Sequence, residues 1–178
     1  MDRHLGWRAE PLPREFFAAG AAQAQPFGSW LVLTGYPTHN GFVNIPDSGS
    51  LDISGSFTIE AWVSITNSSS GEDCRSIAGK GFASTWWIGQ CNVSGQPTLR
   101  SYVRGGTTAL RNGGVIPRGV LTHVALVYNG AQRLHYINGE LAASFDQTGP
   151  VPTNNSPIQI ARDVDWMRSP SGLIDEVR

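Results

Sequence analysis

The sequence predicts an all-β chain folded as an antiparallel sandwich or barrel, and three observations predict it. Short runs rich in β-branched and aromatic residues recur from Trp30 to the end; clusters of Gly, Pro, Asn, Asp and Ser divide them; and no stretch carries a helical repeat. A length of 178 residues suits one such domain. With 40% hydrophobic, 10% aromatic and 15% charged residues, the chain can bury a core and does not read as disordered.

In chain order the strand-like runs are 30–33, 42–45, 57–65, 75–79, 86–90, 99–104, 123–128, 134–137, 140–145, 158–161 and 173–177. The clearest hairpin joins Leu134 to Ile137 with Glu140 to Phe145 through Asn138-Gly139, a pair that accepts the positive φ angles of a two-residue turn. That turn sets Ile137 opposite Glu140, Tyr136 opposite Leu141 and Leu134 opposite Ala143. It would gather Leu134, Tyr136, Leu141 and Ala143 on one apolar face.

A second hairpin carries both cysteines. If Lys80 faces Thr85 across the loop around Gly81 to Ser84, antiparallel counting brings Cys74 opposite Cys91. Opposed residues at a non-hydrogen-bonded position have Cα atoms about 4.5–5.5 Å apart, within disulfide reach. A Cys74–Cys91 bridge in an oxidising compartment is the expectation, with two buried free thiols as the alternative.

Residues 1–29 read differently. Arg3, Arg8 and Arg14 precede an apolar stretch from Phe16 to Ala22, as in a degenerate export signal, but Glu10, Pro11, Pro13 and Glu15 fit a tail or linker better. The domain is therefore expected over 30–178. A net charge of -1 gives no general electrostatic case for nucleic acid. No apolar run approaches the roughly 20 residues that cross a bilayer, so no membrane insertion is expected.

Four segments in order carry a family likeness: Ser56-Phe57-Thr58-Ile59-Glu60-Ala61-Trp62-Val63, His123-Val124-Ala125, Tyr136-Ile137-Asn138-Gly139, and Gly172-Leu173-Ile174-Asp175-Glu176-Val177-Arg178. They resemble the laminin G-like, or pentraxin-like, branch of the concanavalin A-like lectin and glucanase superfamily. The resemblance covers about 31–178 and implies a two-sheet jelly-roll sandwich. Leu121 stands where the family usually has Trp, as a core substitution would. The chain also stops inside what is normally the last long strand, so a truncated domain tethered to others is expected.

Some members of that superfamily are glycoside hydrolases, whose chemistry needs two carboxyl groups flanking the scissile bond. The Glu-x-Asp-x-(x)-Glu strand pattern of the glucanases is missing. Glu60 stands alone, Asp175 and Glu176 are adjacent and would point to opposite faces, and although Glu60 and Glu176 could meet across neighbouring strands, charges paired with Arg178 or facing solvent are the plainer expectation. There is no Gly-x-Ser-x-Gly elbow, and His123 is expected to make a structural hydrogen bond near the core. A hydrolase remains a remote alternative resting on fold analogy.

Alternation supplies a candidate binding face. Trp86 and Trp87 are adjacent, so they cannot both point into the core. Trp86 shares its side with Ile77 and Ile88, which leaves Trp87 outward; on the next strand Leu99 and Val103 point in and Arg100, Tyr102 and Arg104 point out. If these strands are neighbours, Trp87, Tyr102, Arg100 and Arg104 form one patch of aromatic faces and guanidinium forks suited to carbohydrate, such as an acidic or plant-type polysaccharide.

The expected function is accordingly a non-catalytic binding module for carbohydrate within a larger secreted or cell-surface protein. The alternative is an adhesive or structural domain with an extracellular protein partner, and a buried Trp87 would favour it. Family resemblance further implies a structural Ca²⁺, with Asp175 as the best positional match and Asp163, Asp165 and Asn40 as loop candidates.

Overall fold

A computed structural model describes residues 30–35, 41–66, 74–105, 110–163 and 168–178. Residues 1–29, with the expected signal or tail, lie outside the described residues.

The described strands form two six-stranded antiparallel sheets. One runs β1 (Leu31–Thr34), β12 (Ser171–Asp175), β3 (Phe57–Ile65), β8 (Thr122–Tyr128), β9 (Gln132–Ile137), β10 (Glu140–Asp146). The other runs β2 (Val43–Ile45), β11 (Ile158–Ile160), β4 (Cys74–Gly79), β5 (Trp86–Val93), β6 (Gln96–Val103), β7 (Arg111–Val115). This is the predicted jelly-roll sandwich. Its core forms where inward residues meet: Ala61, Val63, Val124, Leu126 and Tyr128 from the first sheet, and Ile77, Trp86, Ile88, Leu99 and Val103 from the second. Leu121 is buried, as a core substitute should be.

Sequence patterning did not mark β7, Arg111-Asn112-Gly113-Gly114-Val115, because its glycines have low strand propensity. Register explains it: Leu99 pairs with Gly114 and Arg100 with Asn112, so Gly113 is the extra residue of a bulge. A Cβ on Gly113 would stand 2.5 Å from the His135 ring. The glycine makes room for a buried imidazole.

That imidazole belongs to a polar half of the interior that overturns one expectation. The Asn138-Gly139 turn sets Glu140 opposite Ile137 and Leu141 opposite Tyr136, as predicted, but a bulge then pairs Ala143 with His135 and Ser144 with Leu134. The face is also inverted. Arg133 and His135 are 0% exposed, whereas Leu141 is 57% exposed and Leu134, Tyr136 and Ala143 are half-buried. Strand β8 decides this, because its inward Leu126 and Tyr128 pair with His135 and Arg133. The polar side chains find partners inside for part of their polar atoms: Ser101 Oγ lies 2.7 Å from His135 Nε2, Arg133 Nη1 donates to Ser101 O at 3.0 Å, and Gln147 Nε2 donates to Val103 O at 2.7 Å, while Arg133 Nε, His135 Nδ1 and Gln147 Oε1 make no hydrogen bond.

Candidate functional site

The four strands β4 to β7 are consecutive neighbours, as the candidate face requires. Cys74 pairs with Cys91 and the two form a disulfide, as register counting predicts. Between Ser76 and Ala78 the register shifts by one, so Trp87 pairs with Gly79 rather than with Ala78. Trp87 does point away from the core that holds Trp86 and Ile88, and it does lie beside Tyr102.

The expected exposure of Trp87 is corrected: it is 0% exposed. Glycines explain how so large a side chain lies flat on the outside of a sheet. A Cβ at Gly89 would run into the indole, and one at Gly79 would stand 2.9 Å from it. The indole therefore rests on bare backbone, next to the disulfide, and its Nε1 donates to Ser76 Oγ at 2.9 Å. Outward direction and exposure are separate properties, and here a loop covers the ring.

The covering residue is Phe82, which sequence reasoning passed over as part of a short turn. It meets Trp87 edge-on with centroids 4.9 Å apart and stacks on Tyr102 at 5.8 Å. The Arg168 guanidinium lies 5.1 Å from its ring centroid. A phenylalanine in a Gly-Phe-Ala-Ser turn beside two tryptophans must cover something or stand in water, and that was the available signal.

The loop bearing Phe82 is tied at every residue around it. Ser84 N donates to Gly81 O at 3.2 Å, Asn154 Nδ2 to Ser84 Oγ at 2.8 Å, Arg104 Nη1 to Ala83 O at 2.9 Å and Arg104 N to Thr85 O at 2.7 Å. Thr85 Oγ1 donates to Lys80 O. Beneath it the buried Lys80 ammonium is ion-paired with Asp47 and, at 3.0 Å, with Asp52. Desolvation alone would lower the Lys80 pKa; its hydrogen bonds and charge interactions with the two carboxylates outweigh that and raise it.

Tyr102 and Arg100 are half-buried and Arg104 is exposed. The face is thus a stacked Phe82–Tyr102 pair with Arg100 and Arg104 on either side of the tyrosine, supported from below by Trp87.

The remaining candidates are dispersed. Asn40 and Asp165 lie outside the described residues. Asp175 ends β12 in the first sheet, where its Oδ1 accepts Glu176 N at 2.8 Å, while the buried Asp163 follows β11 of the second. Among the described residues no group of three or more His, Cys, Asp and Glu converges. Melting curves in excess calcium and in chelator test the expected ion, and a curve unmoved by either would count against it. A calcium-dependent rise in melting temperature would support it.

Glu60 is half-buried on the outside of the first sheet, 3.5 Å from His123 Nε2 and 3.5 Å from Arg178 Nη1. Glu176 pairs with Arg178. The His123 ring packs against Trp62 at 5.3 Å, on that outer face and not near the core as expected; its backbone N–H is the group that bonds Asn138 Oδ1, at 3.0 Å.

Known structures share this architecture. Domain 4 of AbnA, a GH43 extracellular arabinanase from Geobacillus stearothermophilus solved with arabinotriose, aligns at 23% identity and TM-score 0.58 over 79% of this chain and 66% of that one. A structure of botulinum neurotoxin type C, whose cell entry depends on interaction with two ganglioside molecules, aligns at 17% and 0.56 over 77% of this chain and 35% of that one. Domains LG4-5 of the mouse laminin alpha1 chain align at 13% and 0.57 over 84% of this chain and 39% of theirs. The chain thus spans less than two thirds of each of these. No curated protein matches its sequence. The Laminin_G_3 family model matches residues 37–178, from before β2 through β12, and the chain belongs to that family of the concanavalin A-like lectin/glucanases superfamily.

Proposed function

We propose that the chain is a non-catalytic module that binds carbohydrate on the outer face of β4 to β7, within a larger secreted or cell-surface protein. The observation that carries this is the stacked Phe82–Tyr102 pair flanked by Arg100 and Arg104 on a preformed sheet. Aromatic planes cover the C–H faces of sugars, and guanidinium groups donate to hydroxyls and carboxylates. The arabinotriose and ganglioside contexts of two structural neighbours support the reading. The disulfide supports an oxidising compartment.

In glycan-array or polysaccharide pull-down experiments, Tyr102→Ala is expected to weaken binding at least about tenfold, near 1.4 kcal/mol. Binding unchanged in that variant would remove this face from consideration. The hydrolase alternative has less support, because the Glu60 carboxylate is held between His123 and Arg178.

A protein-binding or adhesive role is the second reading, and the burial of Trp87 favours it, since that indole cannot itself stack on a sugar. Exposed Val32 and Leu141, on the opposite sheet, offer apolar contact. Absence of any glycan ligand together with capture of an extracellular protein through that sheet would select it.

A further inference from the structure

We propose that the glycan recognised here is anionic through carboxylate groups, a uronic-acid or other carboxylated sugar chain, and not a neutral one. The proposal rests on the carbohydrate reading of the same face and adds the substrate class.

Strand alternation places Arg100, Tyr102 and Arg104 on the outer side of one extended segment, so each arginine Cα lies about 7 Å along the chain from that of the tyrosine. A sugar lying on Tyr102 can present an exocyclic carboxylate to either guanidinium. The planar fork of arginine matches a carboxylate in two parallel hydrogen bonds, and its weak hydration lowers the cost of making them.

Arg100 has the feature that most calls for an anion. Its Nε is buried and has no hydrogen-bond partner. Several described arginines share an orphaned Nε, but the others have compensation. Arg111 and Arg162 sit on the rings of Phe145 and Phe42, at 5.3 and 4.5 Å, and Arg75 and Arg133 donate to backbone carbonyls through Nη1. Arg100 has neither a ring nor an acceptor among the described residues.

Among the described residues no carboxylate forms an ion pair with Arg100 or Arg104. Asp47 and Asp52 are taken by Lys80, and Glu60 and Glu176 by Arg178 on the other sheet. Arg104 commits one Nη1–H to Ala83 O and forms no ion pair among the described residues. Two guanidinium groups with no ion pair among the described residues, flanking an aromatic pair on a chain of net charge -1, are a local positive field that neutral sugars would not use.

The test is an array carrying oligogalacturonates, hyaluronan fragments and sialyllactose, sulfated chondroitin, and neutral arabino- and cello-oligosaccharides, probed with the full chain and with Arg100→Gln, Arg104→Gln and Tyr102→Ala. Melting curves establish that each variant is folded. Arg100→Gln is the cleaner arginine variant, because Arg104 also holds the Phe82 loop. Carboxylated glycans are expected to bind, with affinity falling as salt rises and about tenfold lower in Arg100→Gln. Binding of neutral glycans alone, lost in Tyr102→Ala, would overturn the proposal and leave the carbohydrate reading standing. Sulfated glycans alone, or carboxylated binding indifferent to Arg100→Gln, would also overturn it. No glycan binding at all would sink both.

Discussion

Trp87→Ala is expected to lower the melting temperature by about 10 °C or more and to abolish ligand binding, although the indole touches no ligand. Truncating a fully buried aromatic costs about 3–5 kcal/mol, and at this chain length each kcal/mol is worth about 2–4 °C. The geometry puts the loss toward the upper part of that range. Glycines lie beneath the indole and cannot fill the hole, Ser76 Oγ loses its donor, and Phe82 loses the edge on which it rests. Trp87→Phe should recover part of the stability without the Ser76 bond. A Trp87→Ala protein that melts within about 2 °C of the parent would show that the loop, and not the indole, organises this face.

Acidification is the second large effect. His135 is fully buried, and desolvation first, then the Arg133 charge beside it, hold its pKa down to about 4. Arg111 of β7 bears on Arg133, and Ser101 faces the ring from β6. The unfolded value is about 6.5, so the unfolded chain binds the proton more readily. The neutral imidazole contributes its full stability above pH 6.5, and that contribution falls away as pH drops from 6.5 through 4. About 3 kcal/mol is at stake. Melting temperature measured between pH 7 and 4 should fall steeply in the parent and less steeply in His135→Gln. Parallel curves would assign acid sensitivity to the carboxylates instead.

Most of the architecture was legible because strand punctuation and turn chemistry are local. The Asn138-Gly139 turn needed nothing beyond local chemistry, whereas the Cys74–Cys91 pairing came from an assumed Lys80–Thr85 facing that is off by one beside the turn, where Gly79 pairs with Trp87, and is restored by the bulge between Ser76 and Ala78. Counting failed where a bulge intervened, after Ser76 and after Leu141, since one inserted residue shifts every later pairing. The inward face of β9 was misread because Leu134 and Tyr136 are more apolar than Arg133 and His135; only the neighbouring β8 and the opposing sheet reveal a polar core. On the candidate face, direction could be read from alternation and covering could not. Trp87 points outward as expected, but the residue that hides it comes from a loop whose path depends on the neighbouring Lys80 and, through it and Ser84, on Asp47 and Asn154, both distant in sequence.

The tethered Phe82 loop has a consequence for kinetics. A segment held by backbone bonds, by Arg104 and by a buried ammonium has little conformational freedom left to surrender when a partner arrives. Capture on this face, if it is the binding site proposed above, would be a docking onto a rigid plate. Its observed rate rises in proportion to ligand concentration, without the saturation that a slow loop closure would impose.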